Sequence, residues 1–405
     1  MTHSDPTVFY LCGKSPEEGD LLALGVDTAL EIPMASPDAP ERISAFIDQQ
    51  RDYVFAVFSY DLKDSIESQI STRQTDDTAP VAVLVVAQHV ALCFPDRIEI
   101  IKGDAFMLAS WYDNFLQCDT RTTAGIGMQQ RISKAQYLSD VNQLLQHIQR
   151  GDIYEVNYCM EWFAEERLTD PMRVFASLFH NTRAPMSAYV AWKHWHLLCG
   201  SPERFLRKKG SRIESQPIKG TAPRGSNQAE DFRLRRLLSE NQKERSENIM
   251  ITDLVRNDLS RIAARGSVKV DELCGIYSFP TVHQMISTVS CTLRDTVDVS
   301  GVLRATFPMG SMTGAPKVRA MQLIDQYEHN RRGWYSGSVG FFTPEGDFDL
   351  NVVIRSIICN SARPYLSCWA GSAITAACDP EQEYAECLLK AGAMLDLLGG
   401  ANLQP

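Results

Sequence analysis

Residues 216–225 read QPIKGTAPRG. Lys219 is set between Pro217-Ile218 and Gly220-Thr221, so a cation is hemmed by apolar and backbone-rich neighbours. A lysine drawn into such surroundings loses basicity through desolvation and can serve as a nucleophile, although most lysines are merely solvated. Just upstream lies SPERF, residues 201–205, with Glu203 as either a surface residue or a buried acid. Downstream come the pair Glu244 and Glu247, the loop GSMTGAPK at 310–317, the pair Glu383 and Glu386, and Lys390. The larger, C-terminal part of the chain is expected to fold so that these groups meet Lys219 in one pocket.

Outward from that stretch, strands are predicted at 187–192 and 196–199, and a further strand leads into 216. Residues 228–264 carry apolar side chains at helical spacing and read as two helices. Strands follow at 267–279 and 282–293, and helical segments at 302–307 and 318–328 flank the loop. A hairpin pairs 336–342 with 348–359 around Pro344-Glu345-Gly346-Asp347. A strand at 364–370 and a closing helix at 380–398 end the pattern. On the other side, 133–150 is an amphipathic helix, with Ser133 and Gln136 as a capping box. A strand at 153–163 follows, and Asp170-Pro171 opens another helix. Residues 1–50 are weakly patterned, with one helix at 39–50. Residues 53–60 read as a buried strand, 71–80 as a loop, and 81–93 and 97–102 as strands. The polar tract 117–130 marks a boundary, dividing a short N-terminal lobe, 1–125, from a region at 126–405, the two packed as one unit. Long runs of strands with helix pairs between them predict an α+β class and not a regular βαβ array.

The chain has 405 residues, 44% hydrophobic and 22% charged, which is enough apolar content for a large core. Net charge −10 excludes nucleic acid as the expected partner. An acidic protein must meet an acidic ligand with locally gathered Arg and Lys, or with a metal. The 11 cysteines include no CxxC pair and no zinc spacing, as for reduced thiols of a cytoplasmic protein. No signal peptide is read at the N-terminus, and the longest apolar run, near 81–90, is too short to span a bilayer.

Glu244 and Glu247 are three apart on a predicted helix and can share one face; Glu383 and Glu386 repeat the spacing, with Lys390 a turn further. Two such pairs suit Mg²⁺, a hard cation that binds oxygen, keeps waters and bridges carboxylates to anionic substrates. For a single glutamate pair, a solvated surface is the commoner reason. GSMTGAPK fails as a nucleotide loop: the glycine spacing is wrong, Pro316 precedes Lys317, and Val318 stands where Ser or Thr should bind Mg²⁺. A turn whose amides and Lys317 hold a carboxylate stays open. His283 is open between structural and catalytic roles.

Taken together, GDIYEVN, SPERF, PIKGTAPRG, ENIMITDLVRNDL, GSVKV, VHQMIS, FPMGSMTGAPK, YSGSVGFF, IRS and DPEQEYAECLLKA form an ordered set. From about residue 133 to the end, the chain resembles the chorismate-utilising enzymes: anthranilate synthase component I, aminodeoxychorismate synthase component I (the para-aminobenzoate synthase large subunit), and the isochorismate and salicylate synthases. FSYDLKDSIES at 58–68 looks like the matching region of aminodeoxychorismate synthases. PIKGT points to that branch, since anthranilate synthases usually carry PIAGT. The resemblance implies two large antiparallel sheets packed as a sandwich with helices outside. It implies that Lys219 attacks ring C2 of chorismate while Glu203 protonates the departing 4-hydroxyl. Ammonia then adds at C4, giving 4-amino-4-deoxychorismate for 4-aminobenzoate and folate synthesis. It further implies Mg²⁺ on Glu247, Glu383 and Glu386 with Glu244 beside them. Substrate contacts are implied from His283, Thr313, Lys317, Tyr335, Arg355, Gly371, Ser372 and Lys390, with Arg355 on the enolpyruvyl carboxylate.

Two departures stand out. Isochorismate-type enzymes carry a water-activating lysine at the position of Glu155, and aminating members usually a glutamine. Glu155 argues against water as nucleophile, and its own role is open between a base for the incoming amine and a hydrogen-bond partner. The family's AGAGI is AGSAI at 370–374, so Ala373 adds a methyl. No cysteine sits in a nucleophile-elbow context, so ammonia is expected from a separate glutamine amidotransferase subunit or from solution, with an aminodeoxychorismate lyase downstream. The N-terminal lobe lacks the LLES segment that binds tryptophan in anthranilate synthases, so no tryptophan feedback is expected. The rivals are anthranilate synthase component I, which Lys219 disfavours, a non-catalytic chorismate- or partner-binding subunit, and a generic Mg²⁺–nucleotide enzyme.

Overall fold

Alternation decides which way each strand faces. Val8, Tyr10 and Cys12 point into one apolar cluster, and Phe9 and Leu11 between them point into another. Leu21 and Ala23 join the second cluster, Leu22 and Leu24 the first. A strand with both faces apolar is buried on both, and that is the position of these strands: one face meets a second sheet, the other meets helices. The computed structural model describes residues 7–13, 17–68, 70, 79–120 and 124–400. Most of the loop expected at 71–80 lies outside the described residues.

Two antiparallel sheets result. The first runs Gly314–Ala315, Glu155–Ala164, Leu366–Thr375, Ser356–Asn360, Trp195–Cys199, Ser187–Trp192, Val8–Cys12, Asp20–Leu24, His89–Cys93, Ile98–Lys102, with Gln129–Gln130 also on Glu155–Ala164. The second runs Ile218–Pro223, Val282–Thr292, Arg212–Gln216, Arg204–Lys209, Phe348–Asn351, Ser338–Phe342, Val54–Phe58, Ala82–Val86, Thr28–Ile32, with Lys269–Ser278 also on Val282–Thr292. Their facing sides share a core that includes Phe9, Phe55, Phe58, Val190, Leu206, Val289 and Trp369. Each such fully buried side chain is worth about 1.5–3 kcal/mol relative to exposure. The outer face of the first sheet packs helices, among them Lys134–Gln149, Pro171–Thr182 and Pro380–Leu398. The α+β sandwich expected from the sequence is the architecture found.

The helix starts are set by side-chain caps. Ser133 accepts from the Gln136 amide, Asp170 from Arg173, Asn227 from Glu230, Asn241 from Glu244 and Asp379 from Glu381 and Gln382. Gln136 turns its own amide to Asp140, at 2.9 Å, so the capping box forms only its first bond.

Three expectations change. The run 81–93 is two strands, Ala82–Val86 and His89–Cys93, one in each sheet. The run 348–359 is also divided: Phe348–Asn351 belongs to the second sheet and Ser356–Asn360 to the first. The chain crosses between sheets at 352–355, where Arg355 adopts φ +52°. Each run is rich in apolar residues on both sides of the break, so its overall hydropathy reads as one strand and not as a switch between sheets. The weakly patterned beginning holds three strands, Val8–Cys12, Asp20–Leu24 and Thr28–Ile32, shared between the two sheets. The helix Ala105–Leu116, for which no element was read, packs beside Pro171–Thr182.

Candidate active site

Along Glu155–Ala164 the even residues Tyr158, Met160 and Trp162 face the helices. The odd ones, including Glu155, Asn157 and Cys159, therefore face the second sheet. Opposite stands Ile218–Pro223, whose register against Val282–Thr292 slips between Ile218 and Thr221. Gly220, at φ +91°, makes that irregularity possible. A bulge frees a side chain from strict alternation, and here Lys219 leaves the ladder and reaches the other sheet. Its Nζ donates to Glu155 Oε1 at 3.0 Å; the glutamate is buried and the lysine side chain is 13% exposed. Oε2 of Glu155 has no hydrogen-bond partner among the described residues.

Burial by itself would lower the basicity of Lys219, as the sequence suggested. The carboxylates of Glu155, Glu247 and Glu203 outweigh it, and the ammonium is held above its ordinary range. The expectation of a depressed lysine is therefore corrected: the neighbours are anions as well as apolar groups. Glu203 is buried, and desolvation pushes its carboxyl up to about 7, with Ser311 and Lys219 pulling the other way. A cavity lined by Glu203, Ser215, Pro217, Thr306, Met309 and Ser311 lies beside it.

The two glutamate-bearing helices, Gln242–Ser260 and Pro380–Leu398, are joined by an ion pair from Lys243 Nζ to Glu383 Oε1, at 2.9 Å. The same ammonium stands 3.9 Å from Glu247 Oε1, a buried oxygen with no hydrogen-bond partner among the described residues. Burial pushes Glu247 up to about 7, Glu244 reinforcing and Lys219 opposing. Glu244 is raised by burial and by Glu386. Glu386 is lowered, because Lys390, 2.6 Å away, overrides its burial. Among the described residues no three His, Cys, Asp or Glu side chains close into a ready-made metal cage. The donors nevertheless fit a hard cation: they are all carboxylate oxygens, one is orphaned, and a lysine ammonium already stands between Glu247 and Glu383.

The remaining predicted residues divide into two groups. Lys390 donates to the Gly371 carbonyl at 2.9 Å and accepts at its own carbonyl from Arg355 Nη1 at 3.2 Å. Arg355 is half-buried, and desolvation lowers its guanidinium from the usual value. Tyr335 is buried and stacks on Trp369, with 5.8 Å between ring centroids. Thr313 and Ser372 are buried, and Ser372 Oγ lies 3.0 Å from the Tyr137 hydroxyl. Ala373 is buried and pairs with Asn157. A Cβ on Gly371 would come within 2.4 Å of Cys159 Sγ, so only glycine lets these strands approach. By contrast, His283 and Lys317 are spent on protein partners. His283 sits with Nδ1 2.8 Å from Ser278 Oγ and Nε2 3.0 Å from Asp231 Oδ1. Lys317 bonds Asp258 and the Thr306 carbonyl.

Several residues that shape the site were not singled out from sequence. Lys243 is one. Glu328 and Arg332 are others: Arg332 binds Glu328, the Met312 carbonyl at 2.7 Å and the Asn157 carbonyl at 2.8 Å, while Glu328 accepts from the Cys159 amide. This buried pair fastens the 310–317 loop to the strand that carries Glu155. Gly314, at φ +147°, completes the seam; a Cβ there would lie 2.2 Å from the Glu155 carbonyl oxygen. The pair carries no helical spacing signal, because the helix ends at Tyr327 and Arg332 lies beyond it.

A model of the family described as "chorismate binding enzyme" matches residues 19–396. The chain belongs to the chorismate binding enzyme family. It is 38% identical to aminodeoxychorismate synthase component 1 of Salmonella typhimurium over 369 residues, 90% of this chain and 78% of that protein. It is 42% identical to aminodeoxychorismate synthase of Streptomyces griseus over 266 residues, 65% of this chain; the chain spans 36% of that relative's length. Among solved structures, anthranilate synthase component I from Streptococcus pneumoniae superposes with TM-score 0.79 at 22% identity, covering 92% of this chain and 91% of that one. At that identity the likeness is one of fold. Lys219 and Glu155 thus come from strands of the two different sheets, and Glu244, Glu247, Glu383 and Glu386 from two helices joined by Lys243.

Proposed function

We propose that the protein aminates chorismate at C4, forming 4-amino-4-deoxychorismate, as aminodeoxychorismate synthase component 1. The observation that carries this reading is Lys219, drawn between the two sheets near a protonatable Glu203, in a chain related over 90% of its length to an aminodeoxychorismate synthase component 1. Lys219 is the nucleophile toward ring C2. Glu203, with its carboxyl pushed up to about 7, can still carry a proton near neutrality and deliver it to the departing 4-hydroxyl. Arg355, a half-buried guanidinium, grips a carboxylate of the substrate in two-point fashion, and Thr313, Tyr335 and the Gly371–Ser372 backbone shape the pocket. His283 and Lys317 act through the strands and loop they fasten.

Glu247, Glu383 and Glu386, with Glu244 beside them, would hold Mg²⁺. When bound, the metal neutralises the ring carboxylate and eases loss of the allylic hydroxyl. The orphaned Glu247 oxygen and the Lys243 ammonium between two carboxylates support a cation there. Ammonia comes from a separate glutamine amidotransferase subunit or from solution, and a lyase consumes the product. Eleven free cysteines, most of them buried, fit a reducing cytoplasm. Among the described residues no helix is long and apolar enough to cross a membrane.

Purified protein incubated with chorismate, Mg²⁺ and an ammonium salt at mildly alkaline pH, with products separated by chromatography and mass detection, tests the proposal. 4-Amino-4-deoxychorismate is expected, and Lys219→Ala should abolish it. Fluorescent anthranilate as the product would overturn it.

A further inference from the structure

The lysine has three buried carboxyl neighbours, and in the reading above Glu203 carries a proton and Glu247 faces the metal. Glu155 has no task there, although it is 1% exposed and holds the Lys219 ammonium at 3.0 Å. The ionisable groups that bear on Lys219 are Glu155, Glu247 and Glu203, and the lysine in turn bears on Glu244 and Glu386. All of these neighbours are acids. At rest the lysine is therefore an ammonium, which has no lone pair with which to attack carbon. Its proton must leave, and the nearest acceptor is the oxygen already hydrogen-bonded to it. Oε2 of the same carboxylate is buried with no hydrogen-bond donor among the described residues, so the carboxylate has an unused acceptor atom.

We infer that Glu155 is a catalytic residue, the acceptor that takes the Lys219 proton before attack and returns it after release. The inference rests on the reading of Lys219 as nucleophile. The proton passes from Nζ to Glu155, leaving an amine and a carboxylic acid. The amine lone pair forms the N–C2 bond, the two ring double bonds shift, and the C4–O bond breaks. The hydroxyl departs as water with the proton of Glu203. The lysine nitrogen is then a secondary ammonium. Ammonia bonds to C4, the double bonds shift back, and the C2–N bond breaks, releasing Lys219 as a neutral amine. The new C4 ammonium gives one proton to the Glu203 carboxylate, and Glu155 returns its proton to Lys219. Both carboxyl groups and the lysine end as they began; ammonia has entered and water has left.

The test is rapid quenching of the full chain with chorismate in the absence of ammonia, reading the mass of the Lys219 peptide over time. Wild type, Glu155→Gln and Glu155→Asp are compared from about pH 6 to about pH 8. Glutamine cannot store the proton, so the solvent must take it. The ratio of the Glu155→Gln rate to the wild-type rate should rise roughly tenfold per pH unit, a ratio from which the titration of Glu203 cancels. Glu155→Asp should be slower and keep the wild-type pH dependence. A ratio constant with pH, or a Glu155→Asp profile that follows Glu155→Gln, would overturn the role of Glu155 while leaving the nucleophile in place. Wild-type protein that never gains mass at Lys219 would overturn the nucleophile, and this inference with it.

Discussion

Glu203 shows how a single carboxyl trades stability for chemistry. Its folded-state value of about 7 lies above the roughly 4.3 of an unfolded glutamate. The folded protein therefore holds a proton that the unfolded chain loses, and stability falls as pH rises from the unfolded value through about 7. Glu203→Gln keeps the shape and has no charge to bury. It should lower turnover roughly 100-fold or more through loss of the acid. It should also melt higher than wild type at about pH 8, by a stabilisation on the order of 3 kcal/mol, and show little difference at about pH 5. Parallel thermal melts at the two pH values check this; equal melting differences at both would refute it. At this scale, sequence reading found Lys219 but reversed the direction in which its basicity moves. Its apolar neighbours are adjacent in sequence, whereas Glu155 is 64 positions away on the other sheet.

Between elements, the helices Gln242–Ser260 and Pro380–Leu398 meet through Lys243 and Glu383. Lys243 is 42% exposed at its side chain, so this pair is worth about 0.2–1 kcal/mol. On the proposed reading, a divalent ion held by Glu383 would displace that ammonium. Lys243→Met should therefore tighten Mg²⁺ binding up to roughly fivefold, read by calorimetry or by Mn²⁺ paramagnetic resonance. Weaker binding would mean that the lysine supports the metal instead. Several helices carry local signals at their starts, Ser133 with Gln136, Asp170 before Pro171 and Asp379 before Pro380, although Ala105–Leu116 was missed despite its Asp104 cap. The break at 352–355 was not legible, since Val352 and Val353 are as apolar and as buried as the strands they separate. Arg355, which that crossing delivers to the cleft, could be placed only by resemblance.

At the level of the whole molecule, the first hundred or so residues are built into both sheets. Val8–Cys12 lies between Ser187–Trp192 and Asp20–Leu24, and Val54–Phe58 lies between Ser338–Phe342 and Ala82–Val86. We expect a fragment of residues 126–405 not to fold alone, since its removal of these strands bares two sheet edges and the core between them. Circular dichroism and size exclusion would check it; a monomeric, cooperatively melting fragment would contradict it. The sandwich was foreseen from the motif series, but the interleaving was not. Non-local pairing leaves no trace in the local pattern of residues 1–50. The direct test of the central claim is the fate of nitrogen-15 ammonium given to the enzyme with chorismate and Mg²⁺, followed by NMR of the product. Label bonded to ring C4, with the enolpyruvyl group retained, is the predicted result. Label at C2 with pyruvate released would contradict attack by Lys219 at that carbon.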